Sequence, residues 1–426
     1  MTPMNQLHAQ REDLAEAPSR LNWPSKKQEA WRRSPISSLK ERFALASQRE
    51  SPIVSLHEHP PWVSEAWVGQ ALQATPSNTE TPASQVGALR LLWLGSNPLV
   101  VERLQGADSG VEITRVVAAP LASQERPQSV TASLAALHAR ERLHMRVAPG
   151  CALAAPVELL VTGASAEEPS SGTHFVCEVG AGASVTLVER YVGGVAEARS
   201  MLIEFRLGAG AQVEHVRESS PAEGGYLLSE VEVSVGAGAV YNSTLFAREG
   251  RYQRHDIALN LQGEAAKADF ASVVVADGES QAEVHVKLQA SAPQTHSTMS
   301  HRTVVKDRGD VGFTGTVAVK GSAPGAEAHQ SAKAILLNEG AVAFAKPELF
   351  IETDEVVCSH GASVGALDAA ARFYLMSRGL EEAVAEGLLI RACLLEPLTG
   401  RTSPAARWLA ALVETELGGD ADDAAR

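Results

Sequence analysis

The chain has 426 residues, of which 45% are hydrophobic, so it is long enough to bury a large core and to form two or three domains. Its 37 basic and 51 acidic residues give a formal charge of −14, which argues against a nucleic-acid-binding surface built from clustered lysine and arginine. No window approaches about 18 uncharged apolar residues, and the segment 1–20 has no apolar core typical of a signal peptide. We therefore expect a cytoplasmic protein that neither spans nor binds a membrane.

The first part of the chain, residues 1–134, is predicted to be mostly helical with a small mixed segment. Large aromatic residues and proline-rich interruptions are typical of short helices joined by loops. Two stretches rich in β-branched and aliphatic residues, VGALRLLWL at 86–94 and GVEITRVVAA at 110–119, are strand candidates.

A repeat then dominates the middle of the chain. The stretches VGAGASV, LGAGAQV and VGAGAVY place Gly180, Gly208 and Gly236 at intervals of 28 residues. Fixed periods of this size indicate stacked units that bury their apolar faces against their neighbours. Between the glycines, apolar and polar residues alternate, as in VEVSV at 231–235, which predicts strands with one buried face.

These patterns predict a mainly β protein with a parallel β-helix, or solenoid, over residues 135–366. A period of 28 residues fits one wide coil or two narrower ones. The alternative is a β-sandwich or jelly roll, whose hairpins favour two-residue turns such as Asn-Gly. The sequence contains no Asn-Gly and one Asp-Gly, at Asp277-Gly278, which favours the solenoid.

The four cysteines, Cys151, Cys177, Cys358 and Cys393, form no C-x-x-C pair. This spacing fits a reducing compartment and argues against a disulfide framework, a zinc ribbon or a self-contained ferredoxin-type cluster. We expect Cys151 and Cys177 to be small core residues.

Cys358 and His360 are two positions apart at the end of a strand pattern, so they project to the same face. Their Cα atoms should be about 6.6 Å apart, which is long for holding one small ion unaided. The span suits a cluster several ångströms across or a site that another chain completes, since thiolate and imidazole are ligands that iron–sulfur and zinc chemistry prefers. The alternative is a partly buried cysteine beside an exposed histidine, with no ligand role.

No motif in the sequence indicates catalysis. The sequence has no G-x-x-x-x-G-K-[ST] loop, so any ATP hydrolysis must come from a partner, and it has no G-x-S-x-G or H-E-x-x-H motif. We therefore expect a non-catalytic protein. The histidines His285, His296, His301 and His329 fall among alternating strand residues and are predicted on solvated faces.

The C-terminal region, residues 367–426, is predicted to form a helical domain. Asp368 can cap a helix over Ala369 to Ser377, and Gly379 offers a left-handed stop. A second helix is predicted from Leu380 to near Leu395, and a third from Pro404 to the pair Gly418-Gly419. Such helices could cover the open edge of the last coil.

The run KPELFIETDEVVCSHGASVGALD at 346–368, followed by FYLMSRGL at 373–380, resembles the C-terminal signature of the SufB/SufD family, and more closely its SufD branch. The stretches WPSKKQEAW at 23–31 and GAEAHQSAKAILLNEGAV at 325–342 agree with this resemblance.

The resemblance implies a right-handed parallel β-helix and a scaffold subunit for iron–sulfur cluster assembly. It implies pairing with a SufB-like subunit at the β-helix end, where His360 and Cys358 would face a nascent cluster that is transient and shared. No cofactor is expected to bind the isolated chain tightly. A SufC-like ATPase would dock on the C-terminal helices around Phe373, Tyr374, Arg378 and Gly379, and a homodimer could form when partners are missing.

Two other functions remain open from the residues. One is a β-helix enzyme that acts on polysaccharide, a class that is usually exported. The other is a homo-oligomeric structural protein whose last coils pair with each other.

Overall fold

A computed structural model describes residues 23–47, 89–94, 97–103, 110–117, 129–139, 141–162, 170–193 and 197–423. It contains 19 strands within these ranges. They are β1 (Leu89–Leu94), β2 (Asn97–Arg103), β3 (Val111–Val117), β4 (Glu141–Val147), β5 (Val157–Thr162), β6 (Ser170–Val179), β7 (Ser184–Val192), β8 (Ala198–Leu207), β9 (Gln212–Ser220), β10 (Tyr226–Val235), β11 (Val240–Ala247), β12 (Tyr252–Leu261), β13 (Lys267–Ala276), β14 (Gln281–Ala290), β15 (His296–Val305), β16 (Asp310–Val319), β17 (Ala326–Leu336), β18 (Val342–Ile351) and β19 (Val356–Gly365).

Successive strands alternate between two sheets. Sheet A has the order β19-β17-β15-β13-β11-β9-β7-β5-β1-β2, and sheet B has the order β18-β16-β14-β12-β10-β8-β6-β4-β3. All pairings are parallel except β1 with β2 and β3 with β4. Each coil therefore contributes one strand to each sheet, which confirms the predicted β-helix and excludes the β-sandwich alternative.

The 28-residue repeat sets the register of the coils. Val179 lies beside Leu207, and Leu207 lies beside Val235, so each repeat makes one coil. The turns between strands stack because glycine removes a side chain there: a Cβ on Gly208 would lie 2.7 Å from the Ala181 backbone nitrogen. Gly210 in the same turn has a φ of 66°, in the left-handed region that glycine favours.

On strands such as β10, alternate side chains point into the space between the two sheets, which we call the solenoid interior. On β10, Val231, Val233 and Val235 are buried there and belong to one continuous apolar cluster that extends from β1 to the last coil. Cys177 is fully buried in this cluster, as predicted, whereas Cys151 is partly buried and packs against the cluster. Burial raises the pKa of the Cys177 thiol, which suits a core residue and not a nucleophile.

One histidine prediction is wrong. His301 is 1% exposed, and its ring stacks on Phe313 with centroids 4.4 Å apart inside the solenoid. His285, His296 and His329 do lie on the outer faces of the sheets, where each contacts a polar side chain. His301 differs because it is five residues from His296, and residues separated by an odd number project to opposite faces of a strand.

Five α-helices occur in the described residues. They are α1 (Ile36–Ser47), α2 (Val130–His138), α3 (Ala369–Ser377), α4 (Glu382–Leu395) and α5 (Pro404–Asp423), with short 3-10 turns at Glu29–Trp31 and Glu396–Leu398. Leu39 and Phe43 of α1 pack with Leu134 of α2 and Leu228 against the outer face of sheet B. The strand candidates at 86–94 and 110–119 contain β1 and β3, and β1 extends sheet A beside β5.

The C-terminal helices turn back along the outer face of sheet A. Trp408 and Leu409 of α5 bury an apolar strip that includes Val216 and Phe246. The helix α5 continues through Gly418 and Gly419 to Asp423, so the predicted stop at this pair is wrong. Glycine lowers helix stability by about 1 kcal/mol relative to alanine but does not forbid the conformation.

Candidate functional site

The strands β18 and β19, with the turn 352–355 between them, form the last coil, here called the terminal coil. In the described part of the chain, β18 pairs only with β16, and β19 pairs only with β17. Each therefore presents one unpaired edge of backbone N–H and C=O groups. Such edges add strands from other chains unless something covers them.

The terminal coil also exposes apolar side chains. Phe350 is 58% exposed and Val357 is 59% exposed. Val342, Phe344, Ile351 and Val364 are exposed as well. Clustered apolar exposure beside an open strand edge is typical of a protein–protein interface. The sequence analysis did not predict this exposure. Its only signal on β18 is that Val342, Phe344 and Phe350 are separated by even numbers of residues and so share one face of the strand.

Cys358 and His360 lie side by side on β19, as predicted. Cys358 is in register with buried Ala328, and His360 is in register with buried Gln330, so both project toward the solenoid interior at its open end. The Cys358 side chain is half-buried and packs against the core, whereas His360 is exposed. The His360 side chain forms no hydrogen bond with any residue that the structure describes.

The electrostatics of the two groups differ. Partial burial raises the pKa of the Cys358 thiol, although a hydrogen bond from the Ala328 backbone opposes this effect. A metal would have to displace that proton, because thiolate is the ligand form. Within the described ranges, no three His, Cys, Asp or Glu side chains converge to hold a metal ion. One thiol and one imidazole fit an iron–sulfur cargo only if another chain adds donors.

The helix α3 begins four residues after the terminal coil. Its first turn is capped by Asp368, whose side chain accepts hydrogen bonds from the Ala370 and Ala371 backbone nitrogens, as predicted. Arg378 lies after its last turn, and Gly379 has a φ of 91°, the left-handed conformation predicted for the stop. The cap and stop together fix where α3 leaves β19 and where it turns into α4.

The helices α3 and α4 present an apolar surface, here called the C-terminal patch. Its exposed members are Phe373, Tyr374, Met376, Val384 and Leu388. Phe373 is 73% exposed, and the Arg378 guanidinium lies over the Tyr374 ring at 5.2 Å. Large apolar residues of a helix are usually packed against the core. Because those of the C-terminal patch are exposed to solvent instead, they are available for contact with a partner.

Ion pairs hold this helical pair in place. Arg372 Nη1 of α3 lies 2.7 Å from Glu386 Oε1 of α4. Arg302 of β15 donates two hydrogen bonds to Glu396 at the end of α4, at 2.8 and 2.7 Å. The C-terminal patch is therefore fixed relative to the coil that lies two strands from β19.

Residues 161–393 match the family described as SUF system FeS cluster assembly, SufBD core domain, and this match covers more than half of the chain. The chain belongs to the SufBD family. The iron–sulfur cluster assembly protein SufD of Escherichia coli is 23% identical over 390 residues, which are 88% of this chain and 85% of that protein.

Two further SufBD relatives match shorter stretches. A family protein of Synechocystis is 30% identical over 193 residues, which are 45% of this chain and 43% of that relative. SufD of Bacillus subtilis is 33% identical over 131 residues, 31% of this chain and 30% of that protein. The role of the SufBD family is the assembly of iron–sulfur clusters.

None of the described helices is both long enough and apolar enough to cross a bilayer.

Proposed function

We propose that this chain is a SufD-like scaffold subunit that pairs through its terminal coil with a SufB-like subunit. The observation that carries the proposal is that, among the described strands, both sheets end at the terminal coil in a strand with an unpaired edge and exposed apolar residues, Phe350 and Val357 among them. A second solenoid of similar edge geometry could continue both sheets across the junction.

The nascent iron–sulfur cluster is the cargo of this junction. His360 and Cys358 lie where the solenoid interior opens toward the paired subunit. Neutral imidazole binds iron with less charge than thiolate does, which suits a cluster that must later be released. His360 is the more exposed of the two and is proposed as the ligand, with Cys358 as a second donor after loss of its proton.

The C-terminal patch would dock a SufC-like ATPase. Phe373 and Tyr374 supply the apolar contact, and Arg378 supplies a cation beside it. Aromatic and arginine side chains are the residues that most often dominate binding energy at protein interfaces. ATP hydrolysis is then the work of the partner, and this chain acts as a non-catalytic scaffold.

Co-purification tests the pairing and the cargo together. The chain is co-expressed with SufB-like and SufC-like subunits, and complex composition, iron, sulfide and iron–sulfide absorbance are measured. We expect His360→Ala to leave the complex intact and to lower cluster content at least about tenfold. The matched control is His329→Ala, because His329 lies on the outer face one strand away and bonds Ser359.

Normal cluster content in the His360→Ala complex would remove the ligand role. A chain that forms only homodimers and never binds the SufB-like subunit would instead support the homo-oligomeric alternative.

Two aromatic substitutions separate the two proposed interfaces. Phe373→Ala should release the SufC-like ATPase and keep the SufB-like subunit, because Phe373 lies on α3. Phe350→Ala should weaken the SufB-like pairing and keep the ATPase, because Phe350 lies on β18. Affinities of each pair, measured by biolayer interferometry, check this reciprocity. Loss of both partners in one variant would contradict the assignment of separate surfaces.

A further inference from the structure

The inner face of β17 lies directly beneath the terminal coil. Its inward residues alternate along the strand and are buried: Ala326, Ala328, Gln330, Ala332 and Ala334. Gln330 is therefore one amide in a stripe of alanines. An amide in such a place needs hydrogen-bond partners, because burial separates it from water.

One of the two polar groups of the Gln330 amide has a hydrogen-bond partner. Gln330 Nε2 donates a hydrogen bond to the Glu348 backbone oxygen of β18 at 3.0 Å. Since only the NH₂ group can donate to a carbonyl, this bond fixes which end of the amide is which. Gln330 Oε1 is left buried, with no hydrogen-bond partner among the described residues.

The neighbouring backbone makes room for that oxygen. A Cβ on Gly315 would lie 2.5 Å from Gln330 Oε1 and 3.1 Å from the Phe313 ring. Gly315 lies on β16, within the coil to which Gln330 belongs. Because glycine has no side chain, Gln330 Oε1 lies against the Gly315 backbone. A side chain at position 315 would exclude the amide oxygen from this place.

Gln330 is the register partner of His360. The two residues lie side by side on the parallel strands β17 and β19, and both project to the solenoid interior. In-register Cα atoms of paired strands are about 4.8 Å apart, so the two side chains are within reach of each other. The His360 ring, which bonds no described residue, and the unpartnered oxygen thus belong to adjacent positions.

We propose that Gln330 is a positioning residue for His360, whose ring donates an N–H to Gln330 Oε1 when the SufB-like subunit closes the end of the solenoid. One ring nitrogen is then held as the donor, and the other presents its lone pair to iron. Such a partner behind a ligating histidine fixes its tautomer and orientation. This inference rests on the proposed role of His360.

The test uses the assembled complex and three substitutions at one position. Gln330→Ala continues the alanine stripe and removes both ends of the amide. Gln330→Glu keeps an acceptor oxygen of the same length but loses the donor to Glu348. Gln330→Met keeps the length without either group, and it serves if the alanine variant does not fold. Gln289→Met, on the outer face of β14, is the matched control.

The expected result is a loss of cluster content of about tenfold or more in Gln330→Ala or Gln330→Met, with the complex intact. Gln330→Glu should retain at least about half of the cluster, since its carboxylate can still accept from the ring. The rescue is the deciding readout, because a residue that only ties β17 to β18 would fail equally as glutamate.

Two results would overturn the inference. One is normal cluster content in both Gln330→Ala and Gln330→Met, and the other is a glutamate variant as empty as the alanine variant. His360→Ala is measured in parallel. If it also loads normally, the ligand role of His360 has failed; if it is empty while Gln330→Ala loads normally, only the positioning role has failed.

Discussion

Glu189 lies inside the solenoid, where its carboxylate accepts hydrogen bonds from Arg217 Nε and the His215 ring, each at 2.9 Å. Burial opposes its ionisation, but Arg217 and His215 outweigh that effect and hold the pKa of Glu189 at about 2. The charge in this part of the interior is therefore tolerated because it is paired and hydrogen-bonded.

We expect Glu189→Gln to lower the free energy of unfolding by about 3–5 kcal/mol, because it leaves the buried Arg217 cation without its counter-charge. Glu178→Gln is the control. Glu178 pairs with Arg146 and Arg206 on the surface, with its side chain 31% exposed, so its loss should cost about 1 kcal/mol or less. Urea unfolding of both variants checks this, and equal effects would contradict it.

Single residues also show where sequence reasoning succeeds. Asp368 was predictable as a helix cap because its role depends on the next three residues alone. Gln330 was not, because its position beside His360 depends on a register that joins residues 30 apart. His301 was misjudged, although counting from His296 along the strand would have placed it inside.

Among the elements, α2 docks on sheet B through an acidic contact. Ser129, the N-cap of α2, donates a hydrogen bond to Glu230 of β10, which is 7% exposed. Burial, together with the nearby Asp256 and Glu232 carboxylates, raises the pKa of Glu230 to about 7. The Ser129 hydrogen bond lowers this pKa but is outweighed by burial, so the protonated carboxyl is the form that the buried position favours.

A raised folded-state pKa predicts stability that is greatest at low pH and lost as pH rises. For Glu230 the loss should begin above the unfolded value near 4.3 and be complete above about 7. We expect Glu230→Gln to raise the free energy of unfolding at pH 8 by about 2–3 kcal/mol and to change it little at pH 4. Urea unfolding at both pH values measures this, and an equal change at both would contradict the assignment.

The elements themselves were largely predictable. The glycines at 180, 208 and 236 mark the coils because close stacking of turns leaves no room for a side chain. The end of α5 was not predictable from Gly418-Gly419, since glycine permits a stop without requiring one. The path of the C-terminal helices back along sheet A could not be predicted either, because it depends on ion pairs between residues far apart in the sequence, such as Arg302 and Glu396.

For the molecule as a whole, the number of neighbouring strands falls from the middle of the solenoid to its end. An interior strand such as β10 has a strand on each side, β8 and β12, whereas β19 has only β17 among the described strands. In stacked-repeat proteins, stability is approximately a sum of such nearest-neighbour interfaces. The terminal coil should therefore open more readily than the middle of the solenoid.

Hydrogen–deuterium exchange with mass spectrometry tests this gradient. In the isolated chain, we expect amides of β18 and β19 to exchange at least about 100-fold faster than those of β10 and β12. Addition of the SufB-like subunit should slow exchange in β18 and β19 and leave β10 unchanged. Slow exchange of the terminal coil in the isolated, monomeric chain would contradict this picture.

Only three residues, 366–368, connect the last residue of β19, Gly365, to the first residue of α3, Ala369. Three residues extend at most about 10 Å, so this tether has little slack. A force applied at α3 is therefore divided between the backbone of the strand that carries His360 and the ion pairs that anchor α4. The C-terminal helices are thus a point at which an applied force reaches the edge strand β19 directly.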